Sequence, residues 1–348
     1  MFNVGMTCAC PNSPKRVEKM ESMTERRRAI SVLIACYNAA AYVEAAVQSV
    51  LGQSFQDFEI VIVDDGSNDA TRSILARFTD PRIKVISKLN GGASSARNAA
   101  FSQSNGEFII YFDADDIMRP DHLHALYQRS QEGEGVIAFS PWARFKGESL
   151  PSQFEVRPSQ MDMPGPEWLA CEWMDARQMM QSAMFLLPRT MIDRFGGWDE
   201  GLSLNDDFEF FGRILSRAKM MAYAPDAGLY YRSSVSNSLS GKRSPEAIRS
   251  AFRSVHGGTS ALLEVLDNPT TRLACANCLQ DFIYLTYPDY TDYRTATAKR
   301  VKDLGGATLA PDGPPGFQRL RALIGWRAAR VVQKAAERLR LNSASRTR

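Results

Sequence analysis

An α/β fold with a mostly parallel central sheet flanked by helices is predicted by three observations. Short apolar runs of strand type alternate with stretches of helical spacing from Ile30 onward. The links between them are short. Polar and acidic residues gather at the ends of the apolar runs, where open α/β sheets bind their ligands.

The elements follow in order. "ISVLIACYN" reads as a first strand, and "AYVEAAVQSVLGQ" as a helix with Val43, Ala46, Val47, Val50 and Leu51 on one face. "FEIVIVDDGS" is a second strand, and "NDATRSILARF" a helix capped at Ser67 or Asn68. "IKVIS" is a third strand. "GGASSARNAAFSQ" is a helix opened by two glycines, and "EFIIYFDADD" a fourth strand. The pattern then loosens through "GVIAFSPWARFKG" and the Pro-rich "VRPSQMDMPGP". A helical stretch with Trp168 and Trp173, a buried strand "SAMFLLP" and the short strands "MAYAP" and "GLYYRSS" follow. From about Pro245 the chain reads as helical. The expected organisation is a flexible tail over 1–29, an α/β domain over 30–240 and a helical region over 241–348.

The 348 residues are 44% hydrophobic and 23% charged, ordinary for a globular protein. No apolar run approaches the ~18 residues of a membrane span, and the N-terminus lacks an apolar signal core. A cytoplasmic location is expected, with peripheral contact at the inner face of the membrane. The six cysteines and three histidines show no metal-ligand spacing beyond a lone Cys275-x-x-Cys278, and read as structural. Net charge is +3. Residues 317–348 hold nine Lys/Arg against one acid, +8, which leaves −5 for the rest. An acidic body argues against a nucleic-acid enzyme.

Asp113, Asp115 and Asp116 close the fourth strand within four positions. Crowded carboxylates repel and raise one another's pKa. A divalent cation offsets that repulsion; a solvated turn with helix-capping aspartates is the alternative. Dehydrogenase, P-loop and α/β-hydrolase fingerprints are absent or weak. What remains is an acidic edge suited to a nucleoside diphosphate bridged by Mg²⁺ or Mn²⁺.

"SVLIACYNAAAYVEAAVQSVLGQSFQDFEIVIVDDGSNDAT", "NGGASSARNAA" and "GEFIIYFDADD" together resemble the family-2 inverting glycosyltransferases of GT-A fold, over roughly 30–240. The resemblance implies a GT-A nucleotide-diphospho-sugar transferase fold with a helical C-terminal extension. It implies that Tyr37 and Asp65 hold the nucleobase, usually uracil, beside the backbone of Ala35, with Asp64 orienting that pocket. Arg97 would contact the nucleotide. Asp113-Ala114-Asp115 would be the D-x-D motif, Asp113 towards the ribose and Asp115 on the metal, with Asp116 behind them. Family members carry an acidic pair after a G-G-[FW]-D-E turn. Here the turn is 196–200, with Trp198 at its centre, and the pair is Asp206-Asp207. Asp207 would be the general base, accepting the proton of an attacking hydroxyl.

Two departures stand out. Ser234 occupies the place of a histidine often found near the metal, and the Q-x-x-R-W signature of processive synthases is absent. Gln178 and Gln181 lie where acceptor contacts are expected. The implied activity is metal-dependent, inverting transfer of a sugar from a UDP-sugar to a hydroxyl on a saccharide or lipid-linked saccharide. A catalytically silent nucleotide-sugar-binding or scaffold module is the alternative. The tail "FQRLRALIGWRAARVVQKAAERLRL" reads as one basic amphipathic helix, with Leu320, Ile324, Ala328, Val331, Val332, Ala335 and Leu339 on its apolar arc.

Overall fold

Ile30, Val32, Leu33 and Ile34 are all buried, although they alternate between the two faces of one strand. Such a strand belongs inside a sheet covered on both sides. A computed structural model, describing residues 1–2, 28–176, 180–233 and 244–345 (side chains to 337), places it there. The first half runs β1 (Ile30–Cys36), α1 (Val43–Leu51), β2 (Phe58–Asp64), α2 (Thr71–Leu75), β3 (Ile83–Ser87), α3 (Ala93–Ser102) and β4 (Phe108–Asp113). β1 pairs in parallel with β2 on one side and β4 on the other. Ala35 lies opposite both Val63 and Asp113, and Cys36 opposite Asp64. The carboxyl ends of the three strands therefore finish level, which brings Asp64 and Asp113 to one edge.

The helix after β2 is shorter than its spacing suggests. Its N-cap position is Ala70, without a side-chain cap. Ser67 and Asn68 are instead drawn to Asn38 beyond β1: Asn38 N–H donates to Ser67 Oγ (2.9 Å), and Asn68 N–H to Asn38 Oδ1 (2.9 Å).

The second half runs β5 (Ile117–Met118), α4 (His122–Ser130), β6 (Val136–Phe139), β7 (Trp142–Phe145), α5 (Gly165–Trp173), β8 (Phe185–Pro188), α6 (Arg189–Phe195), α7 (Asp206–Leu215), β9 (Met220–Tyr223) and β10 (Leu229–Arg232). The main sheet has the order β3-β2-β1-β4-β8-β6-β9. Only β8 runs against its neighbours. A small sheet β5-β10-β7 stands beside it. The stretch that looked loose around 136–145 thus supplies strands to both sheets; with four residues each, they take their order from partners distant in sequence.

The extension comprises α8 (Pro245–Val265), α9 (Pro269–Thr286), α10 (Thr291–Asp303) and α11 (Pro315–Ser345). Ser244 and Asn268 cap α8 and α9 by accepting from Ala247 and Thr271 N–H, with proline at each first position. The extension shares the main core. α8 crosses α7 so closely that a Cβ on Gly212 would lie 2.9 Å from the Gly258 Cα. Cys275 and Cys278 are buried inside α9, where Cys278 Sγ lies 3.6 Å from the Trp173 carbonyl of α5. His122 is buried between Ala183 O and Gly228 N–H. The expected boundary near 240 falls outside the described residues.

The tail is not one continuous helix. Gly325 has φ 77° and ψ 160°, so the chain breaks there and an arc drawn through both halves does not exist. Among the described side chains of this segment, Phe317 and Ala329, both outside the expected arc, are the buried positions, while Leu323, Ile324, Val331 and Val332 are exposed. Trp326, just past the break, packs on Tyr284 and Tyr287 of the α9 end. Among the described residues no helix is long and apolar enough to cross a membrane.

Candidate active site

The edge formed by β1, β2 and β4 receives its first polar groups directly from the strands. Asp64 is fully buried and accepts from Ser67 N–H (3.1 Å) and Arg72 Nε (2.6 Å). Burial alone would raise its pKa, but these hydrogen bonds hold it below the usual carboxylate range. Its carboxylate thus ties the loop after β2 to the end of that strand.

Asp65 follows and is 3% exposed. Its oxygens accept from Gly92 N–H (2.8 Å), Gly91 N–H (3.0 Å) and Lys88 Nζ (2.8 Å). The amides opening α3 therefore hold a protein carboxylate. Oδ1 takes both Lys88 Nζ and Gly91 N–H, so the acceptor capacity left for a base N–H lies at Oδ2, which shares Gly91 N–H only at 3.2 Å. Tyr37, 51% exposed at the end of β1, offers an open ring beside this loop. Ala35 lies on β1 between β2 and β4.

Arg97 on α3 organises the second cluster. Its guanidinium donates to Asp113 Oδ1 (3.1 Å) at the end of β4 and to Asp206 Oδ2 (3.0 Å) at the start of α7. Burial disfavours its charge, yet Asp206 and Asp113 more than offset that, and its pKa is raised. The same guanidinium lies 4.3 Å over the Trp198 ring. Trp198 is buried and stacks in turn on Phe210 of α7, centroids 4.1 Å apart. It meets Arg97 from below and has no open face for an acceptor.

The 196–200 turn is pinned to α3 by Asn98, which accepts from Trp198 N–H (2.9 Å) and donates to Trp198 O (2.9 Å). Ser94, one turn earlier, donates to Asp206 Oδ2 (2.8 Å). Ser94, Arg97 and Asn98 lie at helical spacing on one face. That spacing was the available signal for Ser94 and Asn98, which sequence reasoning passed over.

Asp207 is half-buried at the first turn of α7, where the helix dipole favours a carboxylate. Burial and its neighbour Asp206 push its pKa up to about 7, against the opposing pull of Arg97. A carboxyl poised there accepts a proton near neutral pH far better than an ordinary surface aspartate.

Asp115 and Asp116 lie beyond Asp113. Asp116 is 1% exposed and accepts from Arg232 N–H (2.8 Å) on β10. Burial, then Asp113 and Asp115, hold it well above the carboxylate range. This is not a solvated capping turn: the N-cap position of α4 is Asp121. Asp115 is half-buried and pushed up to about 6, by burial first and Asp113 second. Arg232 ties this turn to the small sheet by donating to the Asp115 carbonyl (2.9 Å).

Among the described residues no group of three or more His, Cys, Asp or Glu side chains is gathered to hold a metal. The crowded carboxylates offer hard oxygen donors that gain from a cation, and fit a Mg²⁺ or Mn²⁺ ion completed by oxygens from a ligand. Gln181 is buried, its carbonyl accepting from Met184 N–H (3.0 Å). Gln178 and Ser234 lie outside the described residues.

Residues 31–185 match the sequence model of glycosyl transferase family 2. Glycosyltransferase GlyG of Streptococcus pneumoniae is 35% identical over 119 residues, 33% of this chain and 40% of that protein. Succinoglycan biosynthesis protein ExoO of Rhizobium meliloti is 27% identical over 229 residues, 63% of each. The chain spans less than two thirds of the length of these relatives. The crystal structure of Staphylococcus aureus TarS residues 1–349 in complex with UDP-GlcNAc superposes with a TM-score of 0.61 at 19% identity, over 79% of this chain and 80% of that one. At that identity the likeness is one of fold, and it extends past the matched segment into the helices. A parallel sheet with an acidic carboxyl edge, the matched segment and the shared architecture converge: residues 31–185 are similar to glycosyl transferase family 2, and the chain has a fold of GT-A type.

Proposed function

We propose that the protein is an inverting glycosyltransferase, moving a sugar from a nucleotide donor of UDP type to a hydroxyl acceptor. The observation that carries this reading is Arg97. One guanidinium joins Asp113, on the nucleotide edge, to Asp206, beside the candidate base. Donor and acceptor chemistry need such adjacency, because the attacking oxygen must meet the anomeric carbon in line. The neighbouring TarS structures hold UDP-GlcNAc and UDP, which favours a uridine donor. ExoO serves succinoglycan biosynthesis, which favours an acceptor in cell-surface polysaccharide or glycolipid assembly.

In this reading Asp65 and Tyr37 receive the base, and Asp113 faces the ribose. Asp207 takes the acceptor proton at a carboxylate oxygen as the new bond forms. Asp206 and Arg97 keep that carboxylate oriented. Asp115, with Asp113 beside it, would hold Mg²⁺ or Mn²⁺, which when bound neutralises charge on the departing diphosphate.

We also place the enzyme in the cytoplasm, peripheral at the inner face of the membrane. Leu323 and Ile324 stand 81% and 49% exposed beside Arg319 and Arg327, in a tail of net charge +8. A lipid-linked acceptor would be met there.

The experiment is UDP release by full-length protein from a panel of nucleotide-sugars, UDP-GlcNAc first, with and without Mn²⁺. A thermal shift accompanies each donor, since a true donor stabilises the fold by mass action. Turnover with one donor supports the reading. Binding without turnover would establish a silent nucleotide-sugar-binding module instead.

A further inference from the structure

Immediately before the acid pair the chain adopts a left-handed conformation at Asn205, φ 64°. Asparagine tolerates this conformation better than most residues, and here neighbouring groups fix it in place. The surroundings here belong to α8. Ser250 Oγ accepts from Ser203 N–H (2.8 Å) and Leu204 N–H (3.1 Å) and donates to Leu204 O (2.9 Å). Ser254 Oγ donates to Asn205 O and accepts from Glu209 N–H (3.1 Å). Arg253 pairs with Asp199 (2.8 Å) and donates to Gly201 O (3.1 Å). Both serines are buried, at 4% and 0% exposure.

Ser250, Ser254 and Gly258 recur every four residues, so they share one face of α8. Gly258 brings that face against α7: a Cβ there would lie 2.7 Å from Phe208 O. A larger residue would push the helices apart and carry the serines off the loop. The two hydroxyls bracket Asp206 and Asp207 from both ends, reaching residues 203–205 before them and 209 after them.

We propose that Ser250 and Ser254 are positioning residues for transfer: they hold the 203–205 bend that aims the Asp207 carboxylate at the acceptor hydroxyl. The helical extension then builds part of the active site. This rests on the reading of Asp207 as the base. The groups facing Asp207 are Asp206 on its own helix, Arg97 from α3 and Asp113 from β4; α8 acts on it through backbone geometry.

The test uses full-length Ser250→Ala, Ser254→Ala and Asp207→Asn beside the wild type. Each is assayed for UDP release from UDP-GlcNAc, or the donor the panel selects, with Mn²⁺. Both serine variants should lose about 10- to 100-fold in kcat, as small misplacements of a reacting group do, with UDP affinity by calorimetry within about twofold of wild type. The acid limb of kcat should move to lower pH as the loosened carboxylate is hydrated. Because the hydroxyls are read separately, either variant decides the matter if the other misfolds. Wild-type kcat and an unmoved limb in a folded serine variant, beside an inactive Asp207→Asn, would overturn the positioning role alone. The same holds if kcat, UDP affinity and melting temperature fall together. Full activity in Asp207→Asn, or an inert wild type, overturns the base assignment instead.

Discussion

Arg97 and Trp198 are stacked, guanidinium over indole at 4.3 Å, while the same guanidinium spans Asp113 and Asp206. Three contacts from three segments fix one side chain. A planar fork on a ring is a geometry that lysine does not reproduce. Arg97→Lys should keep the charge, lose the bridge, and lower transfer by ~10²-fold. Steady-state rates check this, and full activity in Arg97→Lys would mean that the bridge is not used.

Asp207→Asn should leave UDP binding nearly intact and lower transfer by ~10²–10⁴-fold, the usual contribution of a general base. Asp206→Asn should be milder in rate. It weakens the pairing of the buried Arg97, so it should cost more in melting temperature. If Asp206→Asn proves the more damaging to turnover, the base is one residue earlier.

The pH dependence follows from the elevated Asp207. The base must be ionised to act, so kcat should climb with pH through about 7. Stability moves the other way. A carboxyl whose folded pKa lies above its unfolded value of about 3.9 opposes folding once ionised. Stability is therefore fully present near pH 4 and declines as pH rises towards 7. Melting curves of wild type and Asp207→Asn should coincide near pH 4 and separate by pH 8, with Asp207→Asn the more stable. A gap that is constant with pH would refute the assignment.

Asp115→Ala should abolish Mn²⁺-dependent UDP binding and leave the fold intact. Removing one of three crowded carboxylates should raise the melting temperature of the metal-free protein. Calorimetry of UDP with and without Mn²⁺ decides it, and unchanged affinity removes Asp115 from the metal.

Membrane contact rests on the exposed Leu323 and Ile324. Full-length protein should cosediment with vesicles containing anionic lipid and far less with neutral ones, and should be released by salt. Leu323→Asp with Ile324→Asp should reduce binding severalfold. Equal, salt-insensitive partitioning of variant and wild type would rule the contact out.

The parallel half of the fold was legible because β1, β2 and β4 are dense apolar runs ended by turn residues, and such runs have few other places to go. β6 and β7 were not, because four-residue strands are specified by partners far along the chain. The acid edge was legible in "DADD", but the Arg97–Asp206 bond joins positions 109 apart and leaves no trace in spacing. Ser254 was hidden for the same reason. The tail misled because a helical wheel assumes unbroken helix, whereas Gly325 takes a positive φ that the wheel ignores.

The close crossing of α7 and α8 at Gly212 and Gly258 bears on how such enzymes can be recombined. The segment that matches the family model ends at 185, whereas the acid pair and the helix that braces it come later. On the proposed reading, exchanging 31–185 for the matching stretch of a relative would import a new nucleotide edge beside the resident Asp206-Asp207 pair. The graft would work only if the incoming stretch brought a serine and an arginine to positions 94 and 97. Under that reading donor choice would be separable from proton removal, with the compatibility of the two halves written in one face of α3.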